Sequence, residues 1–153
     1  MDFGPKEALE KLRKYCAYQE RSHKDVSQKM WDLEIPLEWK DDIFLALMKE
    51  NFLNEERFAR TYARGKFNIK KWGRVKITQG LKKHQVSKKC IQLGLTEIDE
   101  DEYLKVLQDT IELKRSKLKE KNPWKRRSAI YRFVVQRGFE SGLVSELMKE
   151  LSL

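Results

Sequence analysis

Three triplets of apolar residues share one spacing: Val26, Met30 and Ile35; Ile77, Leu81 and Val86; Ile130, Val134 and Phe139. Each steps four residues and then five, and the triplets recur after 51 and 53 residues. A four-step is one turn of an amphipathic helix and says little alone. The five-step is more demanding, because it repeats at a near-constant period and leads each time into a helix start, at Pro36, Ser87 and Glu140. Four residues past the third anchor stand Trp39, Cys90 and Leu143, and eight past it Ile43, Gly94 and Leu147; only Gly94 breaks the apolar pattern. A period of about 50 residues holds three helices and lies near the lower limit for a self-sufficient core, so neighbouring units must stack. The expected fold is all-α: three tandem three-helix repeats, 1–51, 52–97 and 98–153, in an elongated, curved array.

Local signals agree. Strand signals are poor, with three prolines and no Asn-Gly or Asp-Gly turn. Pro5 opens a first helix through Ala8, Leu12 and Cys16, Ser22 precedes a second, and Pro36 opens a third. Asn54 is the expected N-cap of a fourth, with Glu55 and Glu56 favourable against its dipole. Five more are expected over about 73–84, 87–93, 99–119, 123–136 and 140–151. Gly138 suits a left-handed residue after a helix end. Trp31, Trp39 and Trp124 are expected in the core, and Trp72 under the next helix.

Charge is unevenly placed. The 153 residues carry a net +9, yet residues 1–50 hold 9 basic against 11 acidic side chains, residues 51–100 hold 12 against 5, and residues 101–153 hold 12 against 8. From Arg57 to Lys89 there are 12 cations and no acid. Like charges at helical spacing repel, so such a run favours an anionic partner over a merely solvated face. Arg57, Arg60 and Arg64 fall on one stripe opposite Phe58 and Tyr62, and are expected to project into solvent where they could be reversed without loss of stability. Lys66, Lys70, Lys71, Arg74, Lys76, Lys82 and Lys83 continue the candidate surface, with Trp72 among them. A second run from Lys114 to Arg127 has one acid, Glu120. Lys125, Arg126 and Arg127 are its candidates.

Catalytic patterns are not found. His23 and His84 fall in different repeats without metal-ligand spacing, and His84 continues the Ile77–Leu81 face as a packed histidine would. Neither Cys16 nor Cys90 has a local base, and both are expected reduced, as small core residues. No phosphate-binding loop is present. The expectation is a non-enzyme without metal or cofactor. Apolar runs of a few residues are too short for a membrane span, and a charged amphipathic pattern directly follows the N-terminus, so the chain is expected to be cytoplasmic.

Three segments are similar to a known family. Phe52-Leu53-Asn54-Glu55-Glu56-Arg57-Phe58-Ala59-Arg60-Thr61-Tyr62-Ala63-Arg64, Trp72-Gly73-Arg74-Val75-Lys76-Ile77 with Leu81, and Arg137-Gly138-Phe139 resemble, in order and separation, the signatures of the RecX family of bacterial recombination regulators. Glu20-Arg21-Ser22 also fits. Two departures stand out: His84-Gln85-Val86 replaces the usual Lys-Gly-Ile, and the first repeat is acidic. The resemblance implies a monomeric negative regulator of the RecA recombinase. It would lodge in the groove of the RecA filament on single-stranded DNA and suppress filament extension, ATP hydrolysis and strand exchange, with weak direct DNA binding alongside. The alternative reading of the same basic run is a nucleic-acid-binding helical protein acting without RecA.

Overall fold

A computed structural model describes residues 3–153. The described residues form nine α-helices: α1 Pro5–Tyr18, α2 His23–Asp32, α3 Lys40–Lys49, α4 Glu55–Asn68, α5 Arg74–Lys83, α6 Lys88–Leu95, α7 Glu100–Lys117, α8 Pro123–Gln136 and α9 Ser141–Glu150. No strand occurs among them. Pro36 introduces a single 3₁₀ turn, Leu37–Trp39, so α3 starts later than its proline suggests. No described helix is long and apolar enough to cross a membrane.

The helix starts follow from polar side chains that satisfy otherwise unpaired N–H groups. Ser22 Oγ accepts the Asp25 N–H and Asp25 Oδ2 accepts the Ser22 N–H, a reciprocal box at 3.0 and 2.9 Å. Asn54 accepts from the Arg57 N–H (2.9 Å), Asp99 from Glu102 (3.0 Å), and Asn122 from Trp124 and Lys125 (3.0 and 3.3 Å).

The five-step has a backbone cause. Glu34, Gln85 and Gly138, each the residue before a third anchor, have φ of 56°, 60° and 100°. In the first two repeats this left-handed residue turns the chain so that the anchor N–H reaches back five residues, Ile35 to the Met30 carbonyl (3.0 Å) and Val86 to the Leu81 carbonyl (3.1 Å). The helix stops and the next apolar side chain re-enters the core. All nine anchor residues are buried. Asn51 and Ser152 end α3 and α9 in the same way, at φ 62° and 60°.

Contacts gather into two compact units. One comprises the residues up to Thr61 together with Leu81–Gly94, the other Tyr62–Gly80 with Leu95–Leu153. In the first, α1 packs on α2 and α3 around Leu12, Cys16, Val26, Met30, Ile43 and Leu47. An Arg13–Glu50 fork, at 3.0 and 2.6 Å, closes the exposed side. Gly94, the break in the apolar pattern, is required by α4: a Cβ there would stand 2.8 Å from the Ala59 carbonyl oxygen. In the second unit α7, α8 and α9 pack on one another, with Tyr103, Leu107, Ile111, Ile130, Val134 and Val144 fully buried.

The left-handed terminators generate a prediction. A residue with a Cβ loses roughly 1–2 kcal/mol in that conformation, partly offset by the greater unfolded freedom of glycine. Gln85→Gly should therefore stabilise the protein by about 1 kcal/mol, raising the thermal midpoint by about 2–4 °C. A calorimetric scan that finds the variant equal to or below the parent would refute the assignment.

Candidate interaction surface

In space the acid-free run is not acid-free. Arg57 donates through Nε to Glu20 Oε2 at 2.7 Å and through Nη2 to the Asn51 carbonyl at 3.0 Å. Arg60 pairs with Glu56, one turn earlier on α4, at 3.0 Å. Arg64 reaches Glu97 at 2.7 Å, and Arg74 binds both Glu100 and Glu140 at 2.8 Å. The three α4 arginines thus carry intrachain ion pairs, Arg57 and Arg60 half-buried and Arg64 exposed, and Arg74 is paired in the same way, so the stripe faces solvent with carboxylates already beside it. Reversing all three α4 arginines would place like charges beside Glu20, Glu56 and Glu97, so some loss of stability is now expected, most of it at the half-buried Arg57–Glu20 pair.

The second unit shows what the Trp-Gly-Arg and Arg-Gly-Phe segments do. The Gly73 N–H donates to the Arg137 carbonyl and the Val75 N–H to the Gly138 carbonyl, both at 2.8 Å. A Cβ on Gly73 would lie 2.3 Å from the Gly138 carbonyl, so both positions are held to glycine by the approach of two backbones. Tyr103, fully buried, closes the junction: its hydroxyl accepts the Arg74 N–H at 2.9 Å and donates to Glu140 Oε1. The Arg74 guanidinium lies 3.9 Å from the centre of the Tyr103 ring. Burial, then the hydrogen bond to Glu140, pushes the Tyr103 pKa upward. Burial also works against the Arg74 charge, but Glu100 and Glu140 outweigh it and hold its pKa above the ordinary value.

A counterpart lies in the first unit. Ser22, almost fully buried, sets its Oγ 3.2 Å from His84 Nδ1, and Asp25 Oδ1 is 3.4 Å from the same nitrogen. The His84 ring rests on Phe58, centroids 5.1 Å apart. This is the packed histidine the sequence suggested. Glu55 reaches from α4 to the Ser87 N–H at the start of α6, at 2.6 Å. Burial alone would raise the Glu55 pKa, but the hydrogen bonds from Ser87 outweigh it and hold the carboxyl below its usual range.

The lysines are different. Lys70, Lys71, Lys82, Lys83 and Lys125 are exposed, as is Arg127. Trp72 is half-buried, with the ammonium groups of Lys66 and Lys76 standing 4.9 and 4.5 Å from its ring. Cations on an indole suit either anionic ligands or local packing. Arg126 is instead tied down, donating to the Leu118 and Glu120 carbonyls at 3.2 and 2.8 Å. Two tryptophans contradict their expected core placement: Trp31 is 74% and Trp124 75% exposed. Trp39 does pack on the first core. Cys16 is buried, which pushes its thiol up to about 11, while Cys90 is only half-buried. Among the described residues no cluster of His, Cys, Asp or Glu could hold a metal ion.

Sequence reasoning found the cations but missed their partners. Glu20, Glu97, Glu100, Tyr103 and Glu140 become visible only once the fold brings them in. One signal was available: Glu140 directly follows Arg137-Gly138-Phe139.

The geometry defines a helical repeat protein whose recurring motifs are junctions between helices. A family model described as the second three-helix domain of RecX matches residues 54–95. Regulatory protein RecX of Oceanobacillus iheyensis is 26% identical over 137 residues, covering 90% of this chain and 50% of the relative. The chain thus spans half the length of that protein. Two solved structures share the fold: regulatory protein RecX, with a TM-score of 0.87 at 20% identity over 95% of this chain and 73% of the other, and RecX from Lactobacillus salivarius, with 0.86 at 18% over 97% and 96%. Motif order, family model and fold together make this chain similar to RecX family proteins.

Two predictions follow from the ties. Tyr103→Phe leaves the Arg74 N–H and a Glu140 oxygen without their partner and should cost about 1–3 kcal/mol in denaturant unfolding, whereas an unchanged midpoint would show the junction to be slack. The depressed Glu55 pKa stabilises the fold above the unfolded carboxyl pKa, and that contribution disappears as pH falls through the folded value. Glu55→Gln should accordingly lower stability at pH 7 and flatten its decline on acidification, as read from melts at stepped pH.

Proposed function

We propose that this chain is a negative regulator of the RecA recombinase that seats in the groove of the RecA filament on single-stranded DNA and restrains filament extension, ATP hydrolysis and strand exchange. The observation that carries this reading is the similarity to a regulatory protein RecX along 90% of the chain. The protein acts by binding rather than by catalysis, as a cytoplasmic monomer without cofactor. Repeats 1–51, 52–97 and 98–153 are the units that present its contact faces.

The contact residues divide by what already holds them. Lys82 and Lys83 in the first unit, and Lys70, Lys71, Lys125 and Arg127 in the second, are exposed and offer each unit cations for DNA phosphates and acidic RecA side chains. Lys66 and Lys76 act beside Trp72. Arg57, Arg60, Arg64, Arg74 and Arg126 maintain the shape, through carboxylates or loop carbonyls, on which the placement of those cations depends. Weak binding to bare DNA accompanies the filament contact; a nucleic-acid protein acting without RecA would instead bind bare DNA as tightly as the filament.

Reversal of the exposed lysines separates the two. Lys82→Glu/Lys83→Glu should lower the thermal midpoint only modestly and leave the helix content unchanged, because both side chains are exposed and reversal in the last turn of α5 costs about 0.3–1 kcal/mol each against the helix dipole. It should weaken inhibition of strand exchange. Arg57→Glu, by contrast, faces Glu20 with a like charge and should lower the midpoint by several degrees. If phosphates are the contact, the log–log salt slope of binding should shrink by about 0.7 for each phosphate lost on single strands. Full inhibition by the folded double-lysine variant would reject these contacts.

A further inference from the structure

An indole three-quarters exposed in the first turn of a helix is unusual, since tryptophan carries one of the largest apolar surfaces available for burial. Trp124 is such a residue, at 75% exposure on α8, and a groove opens on either side of it. On one side Leu118 and Ala129 form the apolar floor, with Lys125 and Arg132 among the lining residues. On the other, Tyr131 and Met148 line a slot of about 230 Å³, with Arg127 and Lys149 at its edge. That volume is below the range of about 300–1,000 Å³ usual for small-molecule sites and suits a single large side chain. Thioether and phenol walls adapt well to such an insertion.

The rim is almost uniformly basic. Lys125, Arg127, Arg132 and Lys149 are all exposed. Among the described residues lining the grooves, Glu120 carries an acidic side chain; it accepts the Asn122 N–H at 3.1 Å and so helps shape the turn before α8. An apolar slot beside an exposed indole, ringed by cations, is complementary to a segment of opposite charge carrying an apolar anchor.

We propose that this face of α8 docks an acidic peptide segment, whose large apolar side chain enters the slot beside Trp124 while its carboxylates meet Lys125, Arg127, Arg132 and Lys149. Single-stranded nucleic acid would use the same cations, but it needs open ring faces for successive bases. Here the Arg127 guanidinium already lies 5.6 Å from the indole centroid, and the neighbouring slot is narrow. Lys125 and Arg127 are shared with the cations offered to RecA and DNA above, but Trp124, the slot, Arg132 and Lys149 are not, so the docking face goes beyond that reading.

The test is fluorescence anisotropy with the full chain and a fluorescein-labelled peptide of aspartate and glutamate around a central phenylalanine–leucine pair. A second peptide has lysine in place of every acid, and a labelled oligo-dT is titrated in parallel. The acidic peptide should bind, more weakly at higher salt, while the lysine peptide should not. Trp124→Ala should weaken acidic-peptide binding at least about tenfold, the scale of an interface anchor. Arg127→Glu, which leaves the indole in place, should weaken it as well. Helical circular dichroism of both variants checks that the exposed substitutions leave the fold intact. Unchanged peptide affinity in either folded variant, no binding of the acidic peptide, or an effect confined to oligo-dT would overturn the proposal, the last making the face a nucleic-acid platform.

Discussion

The second unit depends on one close approach of two backbones. Gly73 and Gly138 meet at a distance that excludes any Cβ, and this contact lets two N–H groups from the start of α5 bond the carbonyls that follow α8. Arg74, next in sequence, is thereby delivered to Glu100, Glu140 and the face of Tyr103. Ionic bonds to a partly buried guanidinium are worth little when assembled at entropic expense. Here the glycines do the positioning beforehand, so the charges fall into a geometry already fixed by main chain. Phe139, between Gly138 and Glu140, is buried 5.2 Å from the Tyr103 ring and adds apolar surface to the same junction.

The first unit solves a similar problem with different chemistry. Ser22 is nearly inaccessible and serves two neighbours at once, capping α2 and facing His84. Glu20 holds Arg57 at the start of α4. Segments that look like recognition motifs when read along the chain are therefore structural joints, and their arginines are largely committed. The lysines, with flexible stems and strongly hydrated ammonium groups, are left for the surface. Within these segments the arginines are ion-paired while Lys70, Lys71, Lys82 and Lys83 stay exposed, a difference that net charge alone conceals.

How far the sequence carries depends on the range of the interaction. The four-then-five spacing led to nine buried anchors because helix period and helix termination are local properties. Asn54 was legible as a cap, and Ser22 as the residue before a helix, for the same reason. Gln85, which stands where the resembled family usually has glycine, becomes intelligible through its φ of 60°, a conformation that suits glycine. Pairing was not legible, since Arg74 and Glu140 lie 66 residues apart and nothing in a charge count links them. Trp31 and Trp124 were misplaced for a related reason: hydrophobicity shows that a side chain can be buried, whereas only the neighbouring helices determine whether anything covers it.

Cys16 offers a built-in clock for the opening of the first core. With its thiol pushed up to about 11 by burial, Cys16 stays protonated and unreactive at neutral pH. The sulfur is also shielded among Leu12, Met30 and Leu47. Cys16 lies in the last turn of α1, so alkylation there reports how often the end of that helix opens away from the first core, on a timescale that static contacts do not reveal.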